Sequence, residues 1–180
     1  MEIASRAVRI DCVQGDIAAQ SGFDAVVNAA NAQLSPGGGV AGAIHRAAGP
    51  ELAVACRPLA PIRPGEAVLT PGFRLPSRHV IHCLGPVFGV DEPAAEILRS
   101  CYRRILGLCE QHGLRSVATP AISTGIFGYP LQQAAEVAIG TVLAEAAGLS
   151  HLRRIRFVLR DRDALEVHEA VLARLAGVGR

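Results

Sequence analysis

The sequence predicts an α/β fold with helices on both faces of a largely parallel or mixed sheet. Strand-like and helix-like segments alternate along the chain, and no internal repeat, linker or low-complexity tract interrupts them. With 180 residues, 50% of them hydrophobic and 19% charged, the chain has the size and balance of one globular domain spanning 1–180.

The elements follow in order. Ala7 to Val13 alternates apolar and polar residues, the period of a half-exposed strand, and Ala25 to Val27 is short and wholly apolar, as a buried strand is. A helix from Val40 to Ala48 puts Val40, Ile44, Ala47 and Ala48 on one face. Gly49-Pro50 ends it, because glycine reaches backbone conformations closed to other residues and proline lacks the amide donor. Ala67 to Thr70 and His79 to Leu84 read as strands joined through a turn at Pro71-Gly72 and a loop near Pro76. Ile97, Cys101, Ile105 and Leu108 recur at helical spacing and predict a helix over Pro93 to Gln111, stopped by His112-Gly113. A strand at Ser116 to Thr119 leads into a glycine-containing loop from Pro120 to Pro130 and a helix over Leu131 to Ala147. Arg154 to Leu159 is the last strand, and Asp163 to Leu175 the last, amphipathic helix.

Composition excludes several kinds of chemistry. No apolar run reaches the ~18 residues of a membrane span, and the first residues lack a signal peptide's basic and apolar pattern, so the expected location is the cytoplasm. A net charge of +2 and an aromatic content of 4% lack the basic clustering and stacking surface of a nucleic-acid binder. The five cysteines (Cys12, Cys56, Cys83, Cys101, Cys109) are odd in number and form no C-x-x-C pair, so reduced buried thiols are expected, with neither disulfides nor metal. Every basic residue is arginine, which excludes a lysine Schiff base and the P-loop lysine. Asparagine occurs only at Asn28 and Asn31.

Ligands of such sheets sit outside the carboxyl ends of the strands, and three loops fall there. Asp16 follows the first strand; it either accepts from a neutral donor such as an exocyclic amine or caps the segment after Gly15. Gly37-Gly38-Gly39 opens the helix at Val40. Three successive glycines cost stability, so they mark either a flexible capped loop or a backbone approached by an anion at a helix N-terminus. Ser123 to Pro130 holds Phe127 between Gly125 and Gly128; it is either a tight turn with Phe127 folded onto the core or a sugar-phosphate seat. His45, one turn beyond Ala41, faces the glycine loop as a proton shuttle or sugar donor, or is a structural histidine. His79 and His82 point to opposite faces of one strand, which disfavours a shared metal. Ser123 lacks Asp-His partners and a G-x-S-x-G elbow, which sets serine hydrolase chemistry aside.

Taken in order, Gly15-Asp16-Ile17, Val26 to Asn31, Gly37 to Gly49, Pro64 to Ala67, Val80-Ile81-His82 with Gly85-Pro86, and Pro120 to Gly128 resemble the motifs of the macrodomain family, the ADP-ribose-binding module. The resemblance runs from about residue 8 to the C-terminus. It implies a three-layer α/β/α sandwich with a mixed central sheet and a cleft at the strand ends. By that resemblance Asp16 takes the adenine amine with Ile17 beside it, and Asn31 holds the distal ribose while Asn28 shapes the loop. The backbone of Gly38, Gly39 and Val40 and of Ser123, Thr124, Gly125, Ile126 and Phe127 wraps the diphosphate.

Asn31, Phe127 and His45 are the implied catalytic set, with no cofactor or metal. The implied activity is removal of ADP-ribose from mono-ADP-ribosylated protein or of the acyl group from O-acyl-ADP-ribose, by a monomer. The alternative is a non-catalytic reader of ADP-ribose or ADP-ribosylated proteins. Ala41 favours the reader, because MacroD-type hydrolases carry an aspartate there. Members with alanine, viral ones included, are described as hydrolases that orient a water through the substrate's own phosphate. Arg160 stands where many members place an aromatic over the adenine, and a guanidinium plane can also stack on a base.

Overall fold

The computed structural model describes residues 1–5 and 8–177, and Ala7, the first residue of the expected opening strand, lies outside them. The strands are β1 (Glu2–Ser5), β2 (Val8–Gln14), β3 (Ala25–Ala29), β4 (Ala67–Pro71), β5 (His79–Cys83), β6 (Ser116–Thr119) and β7 (Arg154–Leu159). The helices are α1 (Gly39–Ala48), α2 (Pro50–Cys56), α3 (Ala94–Gln111), α4 (Leu131–Glu145) and α5 (Arg162–Leu175). One seven-stranded sheet runs in the order β1-β2-β7-β6-β3-β5-β4. Its five central strands are parallel, and β1 and β4 join the edges antiparallel, so the sheet is mixed.

Alternating strand residues feed two cores. Ala25 and Val27 of β3, with Ile81, Val117 and Phe157, pack under Leu98 and Ile105 of α3, Ile139 of α4 and Leu172 of α5. Val26, Val80, Ala118 and Val158 face the other way, against Ile44 and Ala48 of α1 and Leu52 and Cys56 of α2. A sheet apolar on both faces must be covered on both, and the three-layer sandwich follows.

Two elements are not foreseen by periodicity. Gly49-Pro50 does end α1, with Gly49 at φ +88°, but Pro50 also opens α2, where its missing N–H is no loss. β1 is a four-residue edge strand, too short to show a period. The ends of α4 and α5 also shift. α4 tightens into a 3-10 turn at Ala146–Gly148, and α5 begins at Arg162 because Asp161 caps it, accepting from the Ala164 amide at 2.9 Å.

The pairing of β3 with β6 positions everything that follows. Only Ala25 with Val117 and Val26 with Ala118 are in register. Beyond them β3 stays with β5, as far as the Ala30 amide on the Cys83 carbonyl at 2.9 Å, while β6 stays with β7 through Thr119. The two strands part, and the gap opens at their carboxyl ends.

At the amino ends Asp24 holds them together. Its Oδ2 accepts from the amides of Arg115 (2.8 Å) and Ser116 (3.2 Å) and from the Ser116 hydroxyl (3.3 Å), and its own amide donates to Ser116 Oγ at 2.9 Å. Charge-assisted bonds of this kind contribute more than neutral ones. Asp24→Ala is expected to lower unfolding free energy by about 1.5–3 kcal/mol in urea titration, with Asp24→Asn intermediate. A loss under about 0.5 kcal/mol would mean that the strand ladder alone holds this junction.

Candidate functional site

A cleft of about 240 Å³ occupies the gap between β3 and β6. Ala29 and Ala30 continue β3 along one side, and Asn31, the Gly37–Gly39 loop, Val40 and Ala41 form the wall above it. The opposite wall is Gly85, after β5, with Ala121 to Ser123 and Gly125 to Phe127, after β6. No charged side chain lines it.

Its electrostatic preference comes from the backbone. Gly38 is the N-cap of α1 and makes no side-chain cap bond, and the first turn holds no acidic residue. The leading amides of the helix therefore point outward unpaired at the positive end of its dipole. The glycines of this loop have different reasons. Gly39 sits at φ +54°, where a side chain is strained. A Cβ on Gly42 would lie 2.3 Å from the Gly37 carbonyl oxygen, so the loop can fold back onto the helix only over a glycine. Gly38 has neither constraint: its φ is −84° and a Cβ there would meet nothing within 4 Å. The fold therefore does not require glycine at 38. Gly125, on the opposite wall, is equally unobstructed.

The second wall is held by close approach. A Cβ on Gly85 would fall 2.1 Å from Ser123 Oγ, so this glycine lets the loop after β6 settle onto the end of β5. Ser123 is buried with φ +67°, and its hydroxyl has no hydrogen-bond partner. A strained backbone and an unsatisfied buried hydroxyl at one residue point to function. Bonds from Thr124 Oγ1 to the Ala121 carbonyl (2.8 Å) and from the Tyr129 amide to the Ser123 carbonyl (2.9 Å) brace the turn. Phe127 packs partly onto the α1 side of the core and also lines the cleft.

Asn31, Gly38, Gly39, Val40, Ser123, Gly125, Ile126 and Phe127 thus meet in one place. The Asn31 side chain also closes its own loop, donating to the Ser35 carbonyl at 2.9 Å and accepting from the Ser35 amide at 3.0 Å. Asp16, Ile17, Asn28, His45, Thr124 and Arg160 do not line the cleft. Asp16 is exposed at the carboxyl end of β2; its Oδ1 caps a 3-10 turn by accepting from the Ala18 amide at 2.9 Å. Ile17 packs in the core, and Arg160 leaves β7 with its side chain 94% exposed. Gly85, Ala121 and Ile122 belong to the cleft although sequence reasoning did not assign them to it; the Gly85-Pro86 pair directly after a strand was the available signal.

His45 corrects an expectation. It does not face the glycine loop: the cleft reaches along α1 only as far as Ala41, and His45, four residues or ~6 Å further along the axis, is already inside the molecule. Its ring is buried, 6.4 Å between centroids from that of His82, and neither ring nitrogen has a partner. His82 lies in β5 at the centre of a buried polar group. Its Nδ1 faces Asn28 Nδ2 at 3.1 Å, and its Nε2 faces Thr70 Oγ1 at 2.9 Å and Cys56 Sγ at 3.6 Å.

A second depression, of about 260 Å³, lies at the amino ends of β3, β5 and β6, near Asp24, Arg78 and His112. The carbonyl end of α3 terminates there, which opposes an anion. Among the described residues no group of three or more His, Cys, Asp or Glu is placed to hold a metal, all five cysteines are unpaired and buried, and no helix is long and apolar enough to cross a membrane.

The Macro domain family model matches residues 27–138. Macro domain-containing protein CT2219 of Chlorobaculum tepidum is 49% identical over 168 residues, 92% of this chain and 96% of its own length. The O-acetyl-ADP-ribose deacetylase of Salmonella typhimurium is 45% identical over 169 residues, 91% of this chain and 94% of its own. Among solved structures, a mutant Oceanobacillus iheyensis macrodomain with ADPR superposes with a TM-score of 0.94 at 34% identity, covering 98% of each chain. The Trypanosoma brucei macrodomain in complex with ADP-ribose gives 0.83 at 39% identity, covering 89% of this chain and 68% of its own.

The buried histidines set an acid limit on the structure that carries the cleft. Burial, with the neighbouring His45, pushes His82 down from 6.5 to about 4. Between those values the unfolded chain binds a proton that the folded chain refuses, so stability falls as pH drops through this window and levels off below it. The loss from His82 is expected to be ~3 kcal/mol, and His45 and His168, also lowered by burial, act in the same direction. Urea midpoints from pH 7 to 4 measure it, and His82→Asn should flatten the slope. An unchanged slope in that variant would mean His82 is not held neutral.

Proposed function

The chain belongs to the Macro domain family, and on that premise we propose that its cleft binds ADP-ribose and that the protein removes the group carried on the distal ribose. The activity is that of an O-acyl-ADP-ribose deacylase or a mono-ADP-ribosyl hydrolase. The observation that carries the binding reading is Gly38, a glycine that the backbone does not need, set at an uncapped helix N-terminus and facing the open cleft. A diphosphate seated between the amides of Gly38 to Val40 and those of Ser123 to Phe127 explains both the space and the missing cations, since amides and a helix dipole hold an anion without lysine. The 45% identity to an O-acetyl-ADP-ribose deacetylase supports the enzymatic reading.

The remaining assignments orient the ligand along the carboxyl edge of the sheet. Asp16 uses Oδ1 as a cap, which leaves Oδ2 to accept from the adenine amine, so its two readings coexist. Asn31 Nδ2 spends one hydrogen on Ser35 and has a second for a ribose hydroxyl. Phe127 packs beside that ribose. For deacylation, water adds to the ester carbonyl, the acyl carbon–oxygen bond to the ribose breaks, and the ribose oxygen takes a proton. Ala41 puts a methyl group where a carboxylate base could stand, so the cleft wall supplies position and the diphosphate supplies the base. The same methyl group favours the second reading, a binding module that does not turn over.

Incubation with O-acetyl-ADP-ribose and with a mono-ADP-ribosylated protein, alongside calorimetry with ADP-ribose, separates the readings. Catalytic release supports the enzyme, and binding without release supports the reader. Gly38→Glu is expected to abolish ADP-ribose binding, by ~100-fold or more, while the unfolding midpoint stays near wild type, because the new carboxylate projects into the anion seat. Retained affinity in the folded variant would remove the diphosphate assignment. Ala41→Asp is expected to weaken affinity through repulsion of the diphosphate while leaving single-turnover release unchanged or raising it up to ~100-fold by general-base help. If only the variant releases product, the natural chain is a reader; if neither does, the enzymatic reading falls.

A further inference from the structure

We infer that His82, which touches no part of the cleft, is a positioning residue for it: through Asn28 it holds the carboxyl end of β3 where Ala29, Ala30 and Asn31 meet the ligand. The inference rests on reading the cleft as the ADP-ribose site.

β3 needs this support only in its last residues. After Val26 it has lost β6, so the stretch that becomes the cleft wall is paired on one side alone, to β5. A one-sided strand end is free to twist and shift. Asn28 lies in this stretch, directly in register with His82 on β5, and the two side chains meet on the sheet face covered by α1 and α2.

The polarity of the bonds is set from the far end. Thr70 Oγ1, on β4, donates to the Pro71 carbonyl at 3.1 Å, so it accepts from His82 Nε2 at 2.9 Å. With its proton on Nε2, the neutral ring presents a bare Nδ1, which accepts from Asn28 Nδ2 at 3.1 Å. Donors run one way across three strands, from β3 through β5 to β4. Asn28, His82 and Thr70 are all at least 98% buried, so no bulk water competes for these bonds.

The network carries a cost that stability does not explain. Asn28 Oδ1 is buried without a partner, and so are both ring nitrogens of His45 beside His82. An apolar side chain at 28 would avoid an unsatisfied carbonyl. What the asparagine adds is a directional bond, which fixes where the strand end lies.

The test exploits the two ring nitrogens separately. His82→Asn keeps an acceptor at the Nδ1 position and loses the reach to Thr70; His82→Gln keeps that reach and loses the acceptor facing Asn28. In the full chain, His82→Gln and Asn28→Ala are expected to weaken ADP-ribose binding about tenfold each, with His82→Asn within about threefold of wild type. Combining Asn28→Ala with His82→Gln should cost no more than either alone, because they cut the same bond. A purely structural histidine would lower the melting temperature in both His82 variants without separating their affinities.

Hydrogen exchange at the Ala30 amide, which bonds to the Cys83 carbonyl, gives a readout that needs no ligand. It should accelerate about tenfold in His82→Gln and Asn28→Ala and stay near wild type in His82→Asn. If wild-type protein binds no ADP-ribose, the reading of the cleft fails, while exchange still decides whether His82 holds the strand end. Equal exchange or equal affinity in the two His82 variants would overturn the positioning role.

Discussion

The parting of β3 from β6 is the constraint on which the rest of this molecule depends. Each strand keeps its outer neighbour, β5 or β7, and the two lose each other after two paired residues. From β3 the chain runs through α1 and α2 to β4 over one face of the sheet, and from β6 it runs through α4 to β7 over the other, so the loops leaving the two strands diverge to opposite sides. The α1 N-terminus is then aimed at the opening by the short segment that joins it to β3, and the Ser123 loop closes the other side by lying against Gly85. Asp24 holds the closed end of the fork and His82 steadies one arm of it.

Such a site recognises its ligand with almost no functional side chains. The lining offers amides, a helix end, the Asn31 side chain, small and aliphatic residues and one aromatic ring, and the buried His45 and His82 behind it are both shifted toward the neutral form by burial. Preorganised dipoles of this kind require no rearrangement when an anion arrives, and a diphosphate seated among them as proposed would be held by its shape as well as its charge. The strain at Ser123 and the unpaired atoms of Ser123, Asn28 and His45 lie in the elements that shape this opening, where a stability argument alone would not put them.

What could be read from the amino-acid order was local. Strand alternation, the helical spacing of Ile97, Cys101, Ile105 and Leu108, and the three glycine-bearing loops each report on a few neighbouring residues, and these located every strand but β1, every helix but α2, and the two loops that form much of the cleft wall. What escaped depended on distance in the fold. Gly49-Pro50 reads as a stop whether or not a second helix follows, so α2 was invisible. The direction of His45 depended on where along α1 the cleft lies, which no spacing states. The pairing of Asn28 with His82 joins residues 54 positions apart, and only the strand register makes it.

Gly38 has a genetic consequence. Most inactivating substitutions in a small domain act by unfolding it, so the altered chain is degraded and its loss resembles a deletion. At Gly38 and Gly125, both on the cleft wall, a Cβ meets nothing in the fold within 4 Å. Alleles at these codons would leave a stable, abundant protein with an empty seat, able to keep any partner that recognises its outer surface. Inheritance can thus separate this protein's presence from its chemistry by a single replacement.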